Sequence, residues 1–211
     1  MFIIKPVSGV NVMDKKKLND LALFMNRDSS AFVLKGESAL ALCYNLDRPT
    51  EGLEFECRPA YQTTFVRTLA EYRETHEMEV IEVEVGTSSY KVAIDLGGYE
   101  MLHVSCKYNP SHTFGKGYPV MNRIKVYPIE NLLGDVLYKF SCDNRLCELS
   151  DIIFIMLNYW DSLSKEIKTR VKGMPFTKFN FRLNDLGNSL VDSYLNKDNI
   201  LLGLQTLKQM L

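Results

Sequence analysis

Histidine is scarce in this chain: three residues in 211, at positions 76, 103 and 112. They stand too far apart to make a local metal or nucleophile motif. No serine or cysteine sits in a recognised nucleophile context, so a hydrolase triad has no support. His103, inside a strand-like run, reads as a structural histidine rather than a base. Cysteine is present five times, an odd count without paired spacing, which excludes a disulfide scaffold and fits a reducing compartment. Cys142 and Cys147 have no histidine beside them and do not make the four-ligand pattern of a structural zinc site. Charge of one sign is missing too. A net charge of −1 supplies no global basic field to gather nucleic acid, so a nucleic-acid acceptor gains nothing from net charge and only a local patch remains open. Long apolar runs are absent: Ile152–Leu157 is far short of the roughly 20 residues that span a bilayer. Met1-Phe-Ile-Ile-Lys-Pro6 is too short for a signal peptide, and its charge follows the apolar run. The expectation is a soluble, cytoplasmic protein with no membrane partner.

What remains is an ordinary globular composition, 46% hydrophobic and 24% charged, long enough for one medium domain or two small ones. Leu18, Leu21, Ala22 and Met25 recur at helical spacing within residues 14–27, beside the basic run Lys15-Lys16-Lys17, which reads as a solvated helix face. A helix is expected over 61–75. Strands follow over 78–85, where glutamate alternates with valine and isoleucine, then over 89–96 and 101–107, with turns at Gly86 and Gly97-Gly98. Residues 109–119 read as a long loop, and its Gly115-Lys116-Gly117 does not match a P-loop and reads as a turn. From Pro128 onward the pattern is helical, over 128–140, 146–162, 164–171, 183–195 and 199–210. No internal repeat is visible. The fold class expected is α+β: a mixed sheet flanked by helices over 1–127, then a helical bundle over 128–211.

The stretch 31–57 carries most of the chemistry. A short apolar strand, Ala31 to Leu34, breaks at Gly36. A helix follows with Ala39, Leu40, Leu42, Cys43 and Leu46 on its packed face and Ser38 in its first turn. Arg48-Pro49-Thr50 is a turn. In the strand after it, Leu53, Phe55 and Cys57 point one way and Gly52, Glu54 and Glu56 the other, because side chains alternate across the pleat. Two carboxylates therefore share a polar strand face close to a helix N-terminus.

Leu34-Lys-Gly-Glu-Ser-Ala-Leu40 and Arg48-Pro-Thr-Glu-Gly-Leu-Glu54 resemble the signature of the abortive-infection toxin nucleotidyltransferases (AbiEii/AbiGii type), within the polymerase-β-like nucleotidyltransferase superfamily. That signature runs Leu-Lys-Gly-Gly-Thr-Ala-Leu, a helix, then Arg-Phe-Ser-Glu-Asp-Leu-Asp. Val126-Tyr-Pro-Ile-Glu130, Gly134-Asp-Val-Leu-Tyr-Lys139 and Cys147-Glu-Leu-Ser-Asp-Ile152 resemble its later motifs, so the likeness covers about residues 31–157. It implies a nucleotidyltransferase-like sheet and a site at the cleft to the helical part. The implied cofactors are Mg²⁺ and a nucleoside triphosphate, and an antitoxin protein is a possible partner. By the same resemblance Glu54 and Glu56 would hold the metal and, with Lys139 and Asp151, form the catalytic set, while Lys35, Gly36, Ser38 and Arg48 would meet the nucleotide.

The chain departs from that signature where chemistry would occur. Glu37 replaces the second glycine, Gly52 the first aspartate and Glu54 the second; the position of the third carboxylate falls on Ser105, and Val136 stands where a lysine is expected. Nucleotidyl transfer uses two metal ions to neutralise charge on the triphosphate, and Mg²⁺ demands oxygen ligands. Two functions follow. One is a divergent enzyme that moves a nucleoside monophosphate onto an RNA, protein or small-molecule acceptor. The other is a degenerate fold that binds a partner or a nucleotide in a toxin–antitoxin or phage-defence system.

Overall fold

The computed structural model describes residues 15–27, 31–50, 52–96, 101–111, 117–178, 181–186 and 195–211. The readings made at 1–13, Gly97-Gly98, His112, Gly115-Lys116 and most of 183–195 lie outside the described residues. The chain divides into two compact units: Thr50–Pro128 with residues 15–44, and Ile129–Leu211 with Asn45–Pro49.

The first unit is built on a five-stranded mixed sheet. Its strands are β1 (Val33–Lys35), β2 (Gly52–Cys57), β3 (Glu79–Val85), β4 (Ser89–Asp95) and β5 (Met101–Tyr108), in the order β1-β2-β5-β4-β3. β2 and β5 run parallel, and every other pair is antiparallel. β5 alternates buried and open positions almost without exception, the mark of a strand with one face in the core. Leu53 and Phe55, Val104 and Cys106, and Val92 and Ile94 are buried on that face. Helices α1 (Lys15–Asn26), α2 (Gly36–Cys43) and α3 (Gln62–Thr75) complete the unit. α1 buries Leu18, Leu21, Ala22 and Met25, the four residues marked by helical spacing.

Phe65 of α3 is the centre of the apolar packing. It meets Phe32 edge-on at 5.3 Å, Phe55 at 5.8 Å and Tyr90 at 6.2 Å between ring centroids. A small ribbon, β6 (Val120–Met121) and β7 (Ile124–Lys125), turns through Asn122 and Arg123 with φ of 51° and 67°. Two successive positive φ values are what a two-residue hairpin turn matching strand twist requires. Just after β7, Val126 bridges in parallel to Leu34, so this late segment is tied to the strand that opens the signature.

The second unit is helical: α4 (Ile129–Asp143), α5 (Leu146–Tyr159), α6 (Lys165–Lys172) and α7 (Lys197–Met210), with a short 3-10 turn, Trp160–Ser162, between α5 and α6. α5 is buried without interruption from Leu146 to Met156, so it is the central helix of its unit. Ser164 caps α6 and Asn196 caps α7 by accepting backbone N–H bonds, as their residue types favour. The helix expected from Leu183 begins instead as a 3-10 turn, Leu183–Asp185. Among the described residues no helix is long and apolar enough to cross a membrane.

Truncating Phe65 to alanine removes the ring that three others pack on. It should cost about 3–5 kcal/mol, read as a lowered urea midpoint with an unchanged slope.

Candidate functional site

The site begins at the turn from β1 into α2. Gly36 has φ of +65° and is buried; a Cβ there would lie 2.5 Å from Glu54 Oε2. The Glu54 carboxylate therefore lies directly over Gly36, at the positive end of the α2 dipole. Ser38 fastens the turn to the sheet, its hydroxyl donating to the Lys35 carbonyl at 3.0 Å and accepting the Glu54 N–H at 3.2 Å. Glu37, in the first turn of α2, accepts a hydrogen bond from the Thr50 hydroxyl at 2.8 Å, and the same hydroxyl is 3.1 Å from the Gly52 carbonyl. Two acids of the chain's own thus stand at the N-terminus of α2.

Sheet register extends the site sideways. Glu54 pairs with Ser105 on β5, Ser105 with Lys91 on β4, and Lys91 with Glu84 on β3. Lys91 Nζ and Glu84 Oε2 are 2.9 Å apart. Two residue pairs over, on the same face, Gly52 opposes His103, which opposes Ala93. Together with Glu37 and Glu82, these positions line an open cavity of about 270 Å³. His103, read from the sequence as a structural histidine rather than a base, is solvent-exposed. Strand alternation was the signal for it, since it lies two residues from Ser105 and so on the same face.

The remaining site residues foreseen from the sequence lie as follows. Glu56 is on the Glu54 side of β2 but buried; it accepts from the Tyr127 hydroxyl at 2.5 Å and the Asn109 amide at 3.1 Å, and Lys35 Nζ is 3.6 Å away. Lys35 also lies 5.3 Å from the Tyr127 ring centroid. The sequence does not mark Tyr127 and Asn109 as partners of Glu56, because they are remote from it along the chain. Arg48 and Asp151 meet in the helical unit in a fork, Nε to Oδ1 and Nη2 to Oδ2, both at 2.8 Å, with both side chains almost fully buried. Lys139 is half-buried on α4, where Val136 is buried in the core. Asp95, the acid of β4, pairs with Met101, four positions along the strand from Lys91 and so roughly 13 Å from the Glu54 row. Burial raises the thiol pKa of Cys43 and of Cys147 to about 12, so neither is a thiolate nucleophile at neutral pH.

These donors fit a pair of metal ions poorly. Of the three carboxylate positions that the resemblance implies, one holds Glu54, one a glycine and one a serine, while Glu56 is turned to Tyr127, Asn109 and Lys35. No group of three His, Cys, Asp or Glu among the described residues is placed to hold a metal. Nor is there room at the glycine: a Cβ on Gly52 would lie 1.9 Å from the His103 carbonyl oxygen. What the cavity offers is a mixed surface rich in acids, with one lysine already paired to a glutamate.

Comparison with known proteins bears on the fold. No family model and no curated protein matches the chain. Among solved structures it is similar to JHP933 from Helicobacter pylori, with 19% identity over 95% of this chain and 93% of that one at a TM-score of 0.70. It is similar also to an H. pylori protein provisionally assigned as a nucleotidyltransferase, with 19% identity over 94% and 93% at a TM-score of 0.73. The nucleotidyltransferase toxin MenT4 of Mycobacterium tuberculosis H37Rv aligns more loosely, at 10% identity over 92% and 81% with a TM-score of 0.49. The chain has a nucleotidyltransferase-like α+β fold with a helical C-terminal region.

Two substitutions test this geometry. Gly52→Ala should destabilise the fold by about 1–3 kcal/mol or more, because its methyl group must push β2 from β5. Arg48→Ala should cost about 3–5 kcal/mol by leaving Asp151 buried and unpaired, and replacing both by apolar residues should recover most of the loss. Chemical denaturation of the three variants measures both effects.

Proposed function

We propose that this chain is a nucleotidyltransferase-fold protein of the AbiEii/AbiGii-like toxin type that acts by binding rather than by nucleotidyl transfer. In this reading it is a module of a toxin–antitoxin or phage-defence system, with an antitoxin-type protein as partner. The observation that carries the proposal is Gly52, which stands where the resemblance implies the first metal ligand and packs so tightly on the His103 carbonyl that no side chain fits there. Glu37 and Glu54 support it, since they place negative charge where a triphosphate would meet the N-terminus of α2. The likeness of Leu34–Leu40 and Arg48–Glu54 to the toxin signature supports the family assignment. Binding is assigned to the α+β part, approximately residues 1–127, and a supporting role to the helical part, 128–211.

The test is thermal. A ligand present at a hundred times its dissociation constant adds about 2.7 kcal/mol to apparent stability. Each of the four nucleoside triphosphates, with Mg²⁺ or Mn²⁺, should leave the melting temperature unchanged, in the native chain and in Glu54→Ala alike. A metal-dependent rise that Glu54→Ala abolishes would overturn the proposal and point to a live metal–nucleotide site with Glu54 as a ligand.

A further inference from the structure

β3 ends the sheet, and among the described residues β4 is its one strand neighbour. All seven of its residues are open to solvent, and the exposure of Ile81, Val83 and Val85 is 55%, 47% and 67%. A soluble protein ordinarily shortens, covers or blocks such an edge, because its free N–H and C=O groups pair with any extended chain. Here the single irregularity is a register shift between Val80 and Glu82.

The two sides of this edge differ. Val80, Val83 and Val85 pair with Ile94, Val92 and Tyr90, which places them on the apolar side of the sheet. Glu79, Glu82 and Glu84 pair with Asp95, Ala93 and Lys91 on the polar side. On the apolar side α3 leaves β3 uncovered. Val66, Leu69 and Ala70 of α3 face Val80 and Val83 across a groove of about 250 Å³, with Arg73 at its rim. An open strand edge beside a groove under a helix is the arrangement in which an added strand finds main-chain partners and pockets for alternate side chains.

We propose that β3 docks an extended segment of a partner protein in which apolar and basic residues alternate. The apolar residues enter the groove between α3 and β3, and the basic ones lie across from Glu79, Glu82 and Glu84. Charge decides the occupant. A second copy pairing β3 to β3 would set glutamates against glutamates, which is destabilising for directly opposed strand residues. A segment carrying lysine or arginine at every second position meets three carboxylates, of which Glu84 alone has an ion pair, with Lys91, among the described residues.

The inference gives the partner-binding reading a surface, yet it stands on residues other than Gly52, Glu37 and Glu54. Glu82 and Glu84 also line the cavity, but Val80, Val83 and the α3 wall of the groove do not, so triphosphate binding would overturn the proposed function without deciding whether β3 takes up a strand. The test titrates the full chain with a labelled Lys-Val-Lys-Val-Lys-Val-Lys peptide, followed by fluorescence anisotropy. Three controls accompany it: a Glu-Val counterpart, a Lys-Ser counterpart without apolar groups, and the double variant Glu79→Lys with Glu82→Lys. The Lys-Val peptide should bind at least about tenfold more tightly than either counterpart, a difference of about 1.4 kcal/mol. The double variant, unchanged in melting temperature, should lose that preference and take up the Glu-Val peptide. Binding should shift amide resonances of β3 and weaken as salt rises. Equal affinity for the Lys-Ser peptide, no binding, or a dimer formed through β3 in sedimentation would each overturn the proposal.

Discussion

The contact on which the α+β unit depends is the one between the start of α2 and the middle of β2. Gly36 adopts the left-handed conformation that favours glycine, and the Glu54 carboxylate occupies the space beside it. Ser38 closes the same contact from the helix side, using its one hydroxyl both to hold the turn and to receive the β2 backbone. That fixes where β2 lies, and β2 in turn sets the register of β5 through a parallel ladder from Gly52 to Cys57. The Gly52 contact with His103 is the far end of this constraint: the strands approach so closely there that a hydrogen is the largest group tolerated.

Charge in the unit is arranged to satisfy itself. Lys35, a candidate phosphate partner by resemblance, lies between Glu56 and the Tyr127 ring. Glu37 is held by Thr50, and Lys91 by Glu84. In the helical unit Arg48 and Asp151 neutralise each other in a bidentate pair. A helix N-terminus attracts anions because its first N–H groups lack intrahelical acceptors. At α2 the neighbouring carboxylates come from the chain itself, which removes much of the reason for an external phosphate to settle there.

Local pattern made the elements legible. Alternation gave β3, β4 and β5 to within a residue or two, and helical spacing gave the buried face of α1 as Leu18, Leu21, Ala22 and Met25. Distant partnerships were not legible. Nothing in the neighbourhood of Arg48 announces Asp151, and nothing near Glu56 announces Tyr127, because these pairs are made by tertiary packing rather than by periodicity. The close approach at Gly52 was equally hidden, since a glycine in a strand signals nearness without saying to what. The β6–β7 ribbon escaped notice because Asn122-Arg123 lacks the glycine that usually betrays such a turn.

The parallel seam between β2 and β5 also dictates an order of assembly. β3, β4 and β5 are neighbours in sequence and can form a meander after closing only short loops. Gly52 must find His103 about fifty positions away before any of that ladder exists. Loop-closure entropy makes the second event the costlier one, and contacts of high sequence separation slow folding. The cavity lined by Glu37, Glu54 and Ser105 lies across this seam, so it comes into being only when the slowest pairing is complete. Until then β5, like β3, presents an open edge, and the nascent chain has two places where a foreign strand can add.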